Sequence, residues 1–399
     1  MIKINKGIML TIRGIPIHHH TPITCGIKEG KILWVGAENK TKKADLGDNE
    51  TIIAPLLFDA QINGGFGISV QDEKLDDIKI LELSEQLLKI GVASWVPTIV
   101  SNSLEKMAFL CSVISDAIKK HKELSSAIPG IHLEGPWISS EDGPRGAHAK
   151  EFVREPSIKD WEKYFSHLSD AILYVTLAPE LKNAISFIKY LVAHKIKVAL
   201  GHHNATIETM QEAITAGATI CTHLGNGIHN YIHRHHNPIW FALANNNLNV
   251  SIIADGHHLP EPILKVIAMC KGWRKVFLVS DATQFMGMKP GEYTEFGSQV
   301  ELQKDRKLCL KGTPYLAGSA TSLTDCIPVW QKATSLPLNT CFYSASVVPA
   351  KSLGVKISPF KLVPGRVTNF MLLQEKIIAN RKRLIPIAIF SNDRWFIKK

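Results

Sequence analysis

The sequence predicts an α/β fold, a (β/α)8 TIM-like barrel with a small β-sandwich domain built from both chain termini, and three observations predict it. Eight short β-branched runs recur between residues 50 and 285, each closing in a polar or glycine-containing segment. Helix-like stretches separate them, with apolar residues returning every three or four positions. The two ends of the chain break this rhythm and carry short alternating strands with turn residues between them.

The eight runs are TIIAPLLFDAQING, VASWVPTIVS, AIPGIHLEGP, AILYVTLAPE, IKVALGHHNA, ATICTHLGNG, NVSIIADGHH and KVFLVSDAT. LDDIKILELSEQLLKIG precedes the second and TIETMQEAITAG the sixth, both with helical periodicity. Such alternation implies parallel strands joined by helical crossovers. Eight units of this kind close into a barrel whose active site lies at the C-terminal strand ends. Gln61, Glu134, His202, His223, His258 and Asp281 all fall at or just past the end of an apolar run. Residues 319–355, including NTCFYSASVVPAKSLGV, are expected to be helical and to finish the barrel wall. The chain is thus divided into residues 55–358, the barrel, and residues 1–54 with 359–399, the small β domain.

Composition narrows the class. An apolar share of 45% and a charged share of 21% are those of a globular domain, with no low-complexity stretch. No run of eighteen apolar residues occurs and the opening MIKINKGIML lacks a signal-peptide pattern, so a cytoplasmic protein without membrane association is expected. Seven scattered cysteines, none in a CxxC pair, read as reduced core residues. The net charge of +10 comes from basic residues spread along the chain, apart from short clusters such as NRKR at 380–383. It is read as a basic surface and not as a nucleic-acid site. The triplet His18-His19-His20 is assigned to a solvated loop, and Trp137, Trp240 and Trp273 to packing in preference to sugar stacking.

A hydrolytic metal centre needs a few neutral imidazoles and carboxylates converging, with one coordination position open to water. Glu134, His202 and His223 supply that set from the ends of the third, fifth and sixth strands, and two His with one Glu match a known catalytic zinc arrangement. Successive strand residues point to opposite faces, so only one of the adjacent His202 and His203 faces the metal. Asp281, just past the eighth strand, can take a proton from water and return it to a departing amine. It can equally cap a following helix.

GIHLEGPW at 130–137, RGAH at 145–148, LGHHNAT at 200–206, THLGNG at 222–227, IADGHH at 253–258, VSDAT at 279–283 and LAGSA at 316–320 follow one another in an order that resembles the amidohydrolase superfamily. Within it they resemble the N-acetylglucosamine-6-phosphate deacetylases. The resemblance covers nearly the whole chain. It implies that Glu134, His202 and His223 ligate the metal, selects His202 over His203, and makes Asp281 the catalytic acid/base. It further implies substrate contacts at Ala147, His148, Asn226, Gly227, His258 and the loop Leu316, Ala317, Gly318, with His148 helping to hold the acyl carbonyl oxygen.

Two places depart from the superfamily. The first strand carries Gln61 and Asn63 where a His-x-His pair is frequent, and amides are poor ligands beside imidazoles. One divalent metal per chain is therefore expected, zinc first, with iron, cobalt or manganese also compatible, and Gln61 and Asn63 are left to hold water or substrate. In GIHNYIHRHHNPIW at 227–240, counting from His223 puts Arg234 on the substrate phosphate, whereas counting back from Pro238 puts His236 there. The function expected is removal of the N-acetyl group from an amino sugar, N-acetylglucosamine 6-phosphate foremost. A different small amide, or a catalytically silent scaffold, stands as the alternative. The partner is then a small molecule, and the resemblance also implies a homodimer.

Overall fold

The computed structural model of the chain describes every residue except 1, 5–8, 38–42, 296, 297, 314, 367, 393 and 399. Eight parallel strands follow one another around a single sheet: Leu57–Ile62, Val92–Val100, Ile131–Glu134, Ile172–Leu177, Lys197–Leu200, Ile220–Cys221, Asn249–Ile253 and Val276–Val279. Each of the eight predicted runs contains one of them. The sheet closes on itself just past the eighth strand, where Ala282 bridges Ile62, Asp281 N–H donates to the Gln61 carbonyl at 3.0 Å and Asn63 N–H to the Ala282 carbonyl at 2.8 Å. Leu57–Ile62 and Val276–Val279 are buried at every position, which is why the second, VFLV, reads as a continuous apolar run instead of an alternating one.

The predicted crossovers are helical. Asp77–Lys89 starts on Asp76, whose carboxylate accepts from Lys79 N–H, and turns Ile80, Leu83 and Leu87 inward. Ile207–Thr215 starts on Thr206 and buries Met210 and Ala213. Three further helices, Leu323–Thr334, Leu338–Ser344 and Val347–Leu353, complete the wall as expected of residues 319–355. Inside the barrel Phe58, Val96, Tyr174, Ala199, Ile220, Ile253 and Phe277 pack together with Val348 and Leu353 of the last helix.

Both termini feed a second eight-stranded sheet, in which Leu46–Ala54 pairs with Phe370–Ile378 and so joins the chain's beginning to its end. Its two halves share one apolar cluster that includes Ile12, Ile27, Ile53, Phe370, Phe390 and Trp395. The sandwich expectation is met by one hydrogen-bonded sheet around that cluster. An element the sequence reading did not assign, a three-stranded antiparallel sheet of Gly291–Glu295, Ser298–Leu302 and Leu308–Leu310, sits between the eighth barrel strand and the closing helices.

Smaller expectations divide. His18, His19 and His20 lie exposed at a turn, with His18 Nε2 3.1 Å from the Tyr343 hydroxyl. Trp137 is fully buried, whereas Trp240 is half exposed, so packing accounts for the first and not for the second. All seven cysteines are free, but Cys270 lies exposed on helix Glu261–Lys271 and is not a core residue. Of the opening MIKINKGIML, residues 1 and 5–8 lie outside those described. Among the described residues no helix is long and apolar enough to cross a membrane.

Candidate metal centre and active site

The third barrel strand ends on Glu134, and its carboxylate is buried at the mouth of the barrel. His202 and His223 follow two residues after the fifth and sixth strands, both with positive φ, +53° and +28°. Asp281, two residues past the eighth strand, has φ +47°. Non-glycine residues occupy this left-handed region rarely and at a cost of order 1–3 kcal/mol, so three of them around one mouth mark strain concentrated at a site.

These turns bring the ligand atoms of Glu134, His202 and His223 within 4.8 Å of one another. Glu134 Oε1 lies 2.9 Å from His223 Nε2 and 3.3 Å from His202 Nε2, and the two imidazole nitrogens are 3.1 Å apart. Burial works to raise the Glu134 pKa. The hydrogen bonds and charges of the two histidines outweigh it and hold the carboxyl well below the usual carboxylate range. For His223 burial works downward, and the Glu134 carboxylate more than offsets it, raising the imidazole above its ordinary value.

The donor set fits a divalent metal in a way that the side chains' other contacts enforce. His202 Nδ1 lies 2.9 Å from the Pro144 carbonyl, which can only accept, so Nδ1 carries the proton and Nε2 presents its lone pair to the centre. His223 Nδ1 is buried without a partner, and its Nε2 faces the carboxylate. One carboxylate oxygen and two Nε2 atoms on one point are the ligand types of a His₂Glu site. Gly227, with φ +61°, backs onto this arrangement: a Cβ there would stand 2.9 Å from His202 Nδ1. His203 points elsewhere. It is buried, accepts from Ala205 N–H at 3.3 Å, and burial lowers its pKa to about 4.

Asp281 is gripped by two amides, Gln61 in the first strand and Asn63 just past it. Its Oδ1 accepts from Asn63 Nδ2 at 2.7 Å and from Gln61 Nε2 at 3.1 Å, and the same Gln61 nitrogen donates to Glu134 Oε1 at 2.9 Å. One amide thus spans the Glu134 carboxylate and the Asp281 carboxylate. Burial and the nearby Glu134 charge raise the Asp281 pKa to about 6. The helix-capping alternative for Asp281 fails, because the next helix begins only at Leu323.

His148 closes another side, its ring 4.5 Å from that of His202. Its Nδ1 accepts from Ser101 N–H at 3.4 Å and lies 2.8 Å from Ser101 Oγ; a backbone N–H can only donate, so the ring proton is assigned to Nε2. Burial lowers the His148 pKa to about 3, keeping the ring neutral. Ala147 beside it is exposed. Asn226 is tied to the His223 carbonyl by its N–H at 2.9 Å and its Nδ2 at 3.1 Å. His258 is oriented by Asp255, whose Oδ2 lies 2.8 Å from Nδ1 and whose Oδ1 accepts from the N–H groups of His257 and His258. Leu316, Ala317 and Gly318 lead into Ser319, which bridges Ala282. Arg234 and His236 are not gathered in. They lie on the exposed segment 231–236, where Arg234 contributes its carbonyl to Trp240 Nε1 at 3.0 Å.

Ser101, the Pro144 carbonyl and Asp255 were not singled out from sequence. Ser101 and Asp255 carried a signal nonetheless: the first directly follows the second strand, one residue past its end, and Asp-x-x-His in IADGHH is a local Asx turn. A backbone carbonyl such as that of Pro144 leaves none.

No protein-family model matches the chain. It is 31% identical to an N-acetylglucosamine-6-phosphate deacetylase of Vibrio furnissii over 80% of this chain and 78% of the relative. It is also 31% identical to one of Caenorhabditis elegans over 88% and 86%. An N-acetylgalactosamine-6-phosphate deacetylase of Escherichia coli O157:H7 is 28% identical over 81% and 83%. Among solved structures, an N-acetylglucosamine-6-phosphate deacetylase of Thermotoga maritima superposes with TM-score 0.77 at 25% identity, covering 100% of each chain. One of Mycobacterium smegmatis, in complex with N-acetyl-D-glucosamine-6-phosphate, superposes with TM-score 0.81 at 23% identity over 98% of this chain and 100% of that one. With this identity along most of both chains, the protein belongs to the N-acetylglucosamine-6-phosphate deacetylase family.

Proposed function

We propose that the chain hydrolyses the N-acetyl group of an amino sugar bearing a 6-phosphate, releasing acetate and the free amine. The observation that carries the reading is the Asp281 carboxylate, one oxygen held by Gln61 and Asn63, set beside the converging Glu134, His202 and His223. The names of the relatives supply the substrate class.

Glu134, His202 and His223 would hold one divalent metal ion, for which zinc is our assignment; iron, cobalt and manganese suit the same donors. When bound, such an ion supplies Lewis acidity to the acyl carbonyl and lowers the pKa of water. Asp281 takes a proton from the attacking water as its oxygen bonds to the acyl carbon, and delivers that proton to nitrogen as the C–N bond breaks. His148 donates Nε2–H to the carbonyl oxygen. Gln61 and Asn63 keep Asp281 aimed. Ala147, Asn226, Gly227, His258 and the loop Leu316 to Gly318 border the space left for the sugar, and Arg234 or His236 meets the phosphate. The same reading makes the working enzyme a cytoplasmic homodimer, with the barrel at residues 55–358.

Amine release from N-acetylglucosamine 6-phosphate, from its galactosamine epimer and from unphosphorylated N-acetylglucosamine tests this directly. Preference for a phosphorylated sugar is expected. Equal turnover of all three removes the phosphate from the assignment, and no turnover by metal-loaded protein means that another small amide is the substrate.

A further inference from the structure

We infer that a hydrogen-bonded floor of Thr98, His132, Thr176 and Thr222, running beneath the metal triad, fixes the triad's geometry, with His132 as its central positioning residue. The inference rests on the metal reading of Glu134, His202 and His223 given above.

Inward-facing barrel positions recur every second residue. Val96, Tyr174, Ala199 and Ile220 belong to the apolar cluster inside the barrel. Two residues further along the same strands stand Thr98, Thr176, Gly201 and Thr222, and on the third strand His132 stands two residues before Glu134. Barrel interiors are filled mostly by branched apolar side chains. A polar layer at this height, fully buried, therefore calls for a reason.

Its members are linked end to end. His132 Nδ1 lies 3.1 Å from Thr98 Oγ1, His132 Nε2 lies 2.8 Å from Thr176 Oγ1, and Thr176 Oγ1 lies 2.8 Å from Thr222 Oγ1. The imidazole is stacked on Tyr174, with centroids 3.8 Å apart and planes 9° from parallel, and Tyr174 OH donates to the Ala60 carbonyl at 2.8 Å beside Gln61. Gly201 fits because it has no side chain: a Cβ there would stand 2.8 Å from both Thr176 Cγ2 and Thr222 Cβ.

Counting protons gives the chain one direction. Each hydroxyl has a single hydrogen, and the Val96 carbonyl, 3.4 Å from Thr98 Oγ1, is an acceptor for that of Thr98. Thr98 therefore accepts from His132 Nδ1–H, His132 Nε2 accepts from Thr176, and Thr176 accepts from Thr222. The reverse direction would leave the Thr222 hydrogen without an acceptor among the described residues. The floor thus ties the second, third, fourth and sixth strands in one register, directly below Glu134 and one residue before His223, with Gly201, one residue before His202, packed against it. It holds in place the strand ends that carry the ligands before any metal arrives, one step behind the direct partners of metal ligands, whose loss costs about 10 to 100-fold in affinity.

Two measurements test this. Nitrogen-15 spectra of the histidine rings in the metal-free protein, assigned with His132→Gln, should show His132 protonated at Nδ1 and bare at Nε2; the opposite tautomer overturns the inference. Zn²⁺ affinity by chelator competition should fall about 10 to 100-fold in Thr176→Val, which keeps the shape and loses the hydroxyl, and stay within about threefold of wild type in Thr176→Ser. Equal affinity in Thr176→Val, or a Ser variant as weak as the Val variant, sinks the floor while the metal reading stands. Wild-type protein that binds no Zn²⁺ sinks both. Should Thr176→Val fail to fold, the tautomer in the wild-type protein still decides.

Discussion

Two adjacent histidines show how much single residues disclosed. The alternation of strand faces says that one of His202 and His203 faces the centre, and the backbone turn at His202, φ +53°, decides which. His202→Ala should therefore strip the metal, while His203→Ala, which removes a buried ring bonded to Ala205 N–H, should keep near-stoichiometric metal; elemental analysis with the opposite result would reverse the assignment. Asp281→Asn keeps the acceptor oxygen for Gln61 and Asn63 but cannot take a proton. It should retain metal and lose about 10² to 10⁴-fold in turnover, and a loss under about tenfold would put the base elsewhere. In its proposed role Asp281 acts as a base only when ionised. Its pKa is raised to about 6 by burial and by the Glu134 charge, and a cation in the triad pulls it back down. The kcat/KM of the loaded enzyme should thus fall as pH drops through a value at or below about 6, a limb absent from the residual rate of Asp281→Asn.

At the scale of elements, legibility followed burial. The eight barrel strands are readable because both of their faces are covered, so that they carry short β-branched and apolar runs without strict alternation, as VFLV at 276–279 does. The sheet of Gly291–Glu295, Ser298–Leu302 and Leu308–Leu310 leaves a weaker signal because its first two strands, GEYTE and SQVEL, mix charged and polar with few apolar positions. The segment from Gly227 to Asn237 was hard for another reason. It holds no regular structure, so no periodicity anchors its register, and what orders it is local. His233 Nδ1 accepts from the N–H groups of His235 and His236, and Asn237 both donates to the His233 carbonyl and caps helix Pro238–Ala244. Arg234 is carried at the exposed crest of this segment. If it meets the phosphate, Arg234→Ala should raise KM for the phosphorylated sugar about 10 to 150-fold, the worth of a charge-assisted pair, and leave the unphosphorylated sugar unaffected. A similar change for both sugars would show that the loop shapes the site without reading the phosphate.

The molecule as a whole depends on closing the barrel between its first and eighth strands, and a buried carboxylate stands at that seam. Asp59 Oδ1 accepts from Gln61 N–H at 3.3 Å on its own strand and from Ser280 N–H at 3.1 Å on the other side. Burial raises its pKa to about 7, against the lowering effect of these bonds, from an ordinary value of 3.8. Between roughly pH 4 and 7 the folded protein therefore keeps a proton on Asp59 that the unfolded chain has released. Linkage then requires this group's contribution to stability to be fully present below the unfolded pKa and to be lost as pH rises through the folded one. Asp59→Asn removes the ionisation and retains an acceptor oxygen for both N–H groups. Relative to wild type, the variant should be close to neutral or mildly destabilised at pH 5 and gain on it by up to a few kcal/mol by pH 8, since each pKa unit is worth about 1.36 kcal/mol. Denaturant unfolding of the metal-free proteins at the two pH values measures the difference, with the wild type as reference so that buried neutral histidines such as His132, lowered to about 3 mainly by burial, cancel. A variant destabilised equally at both values would mean that the seam needs the geometry of a carboxylate at any pH, and that its ionisation carries no cost to the closed barrel.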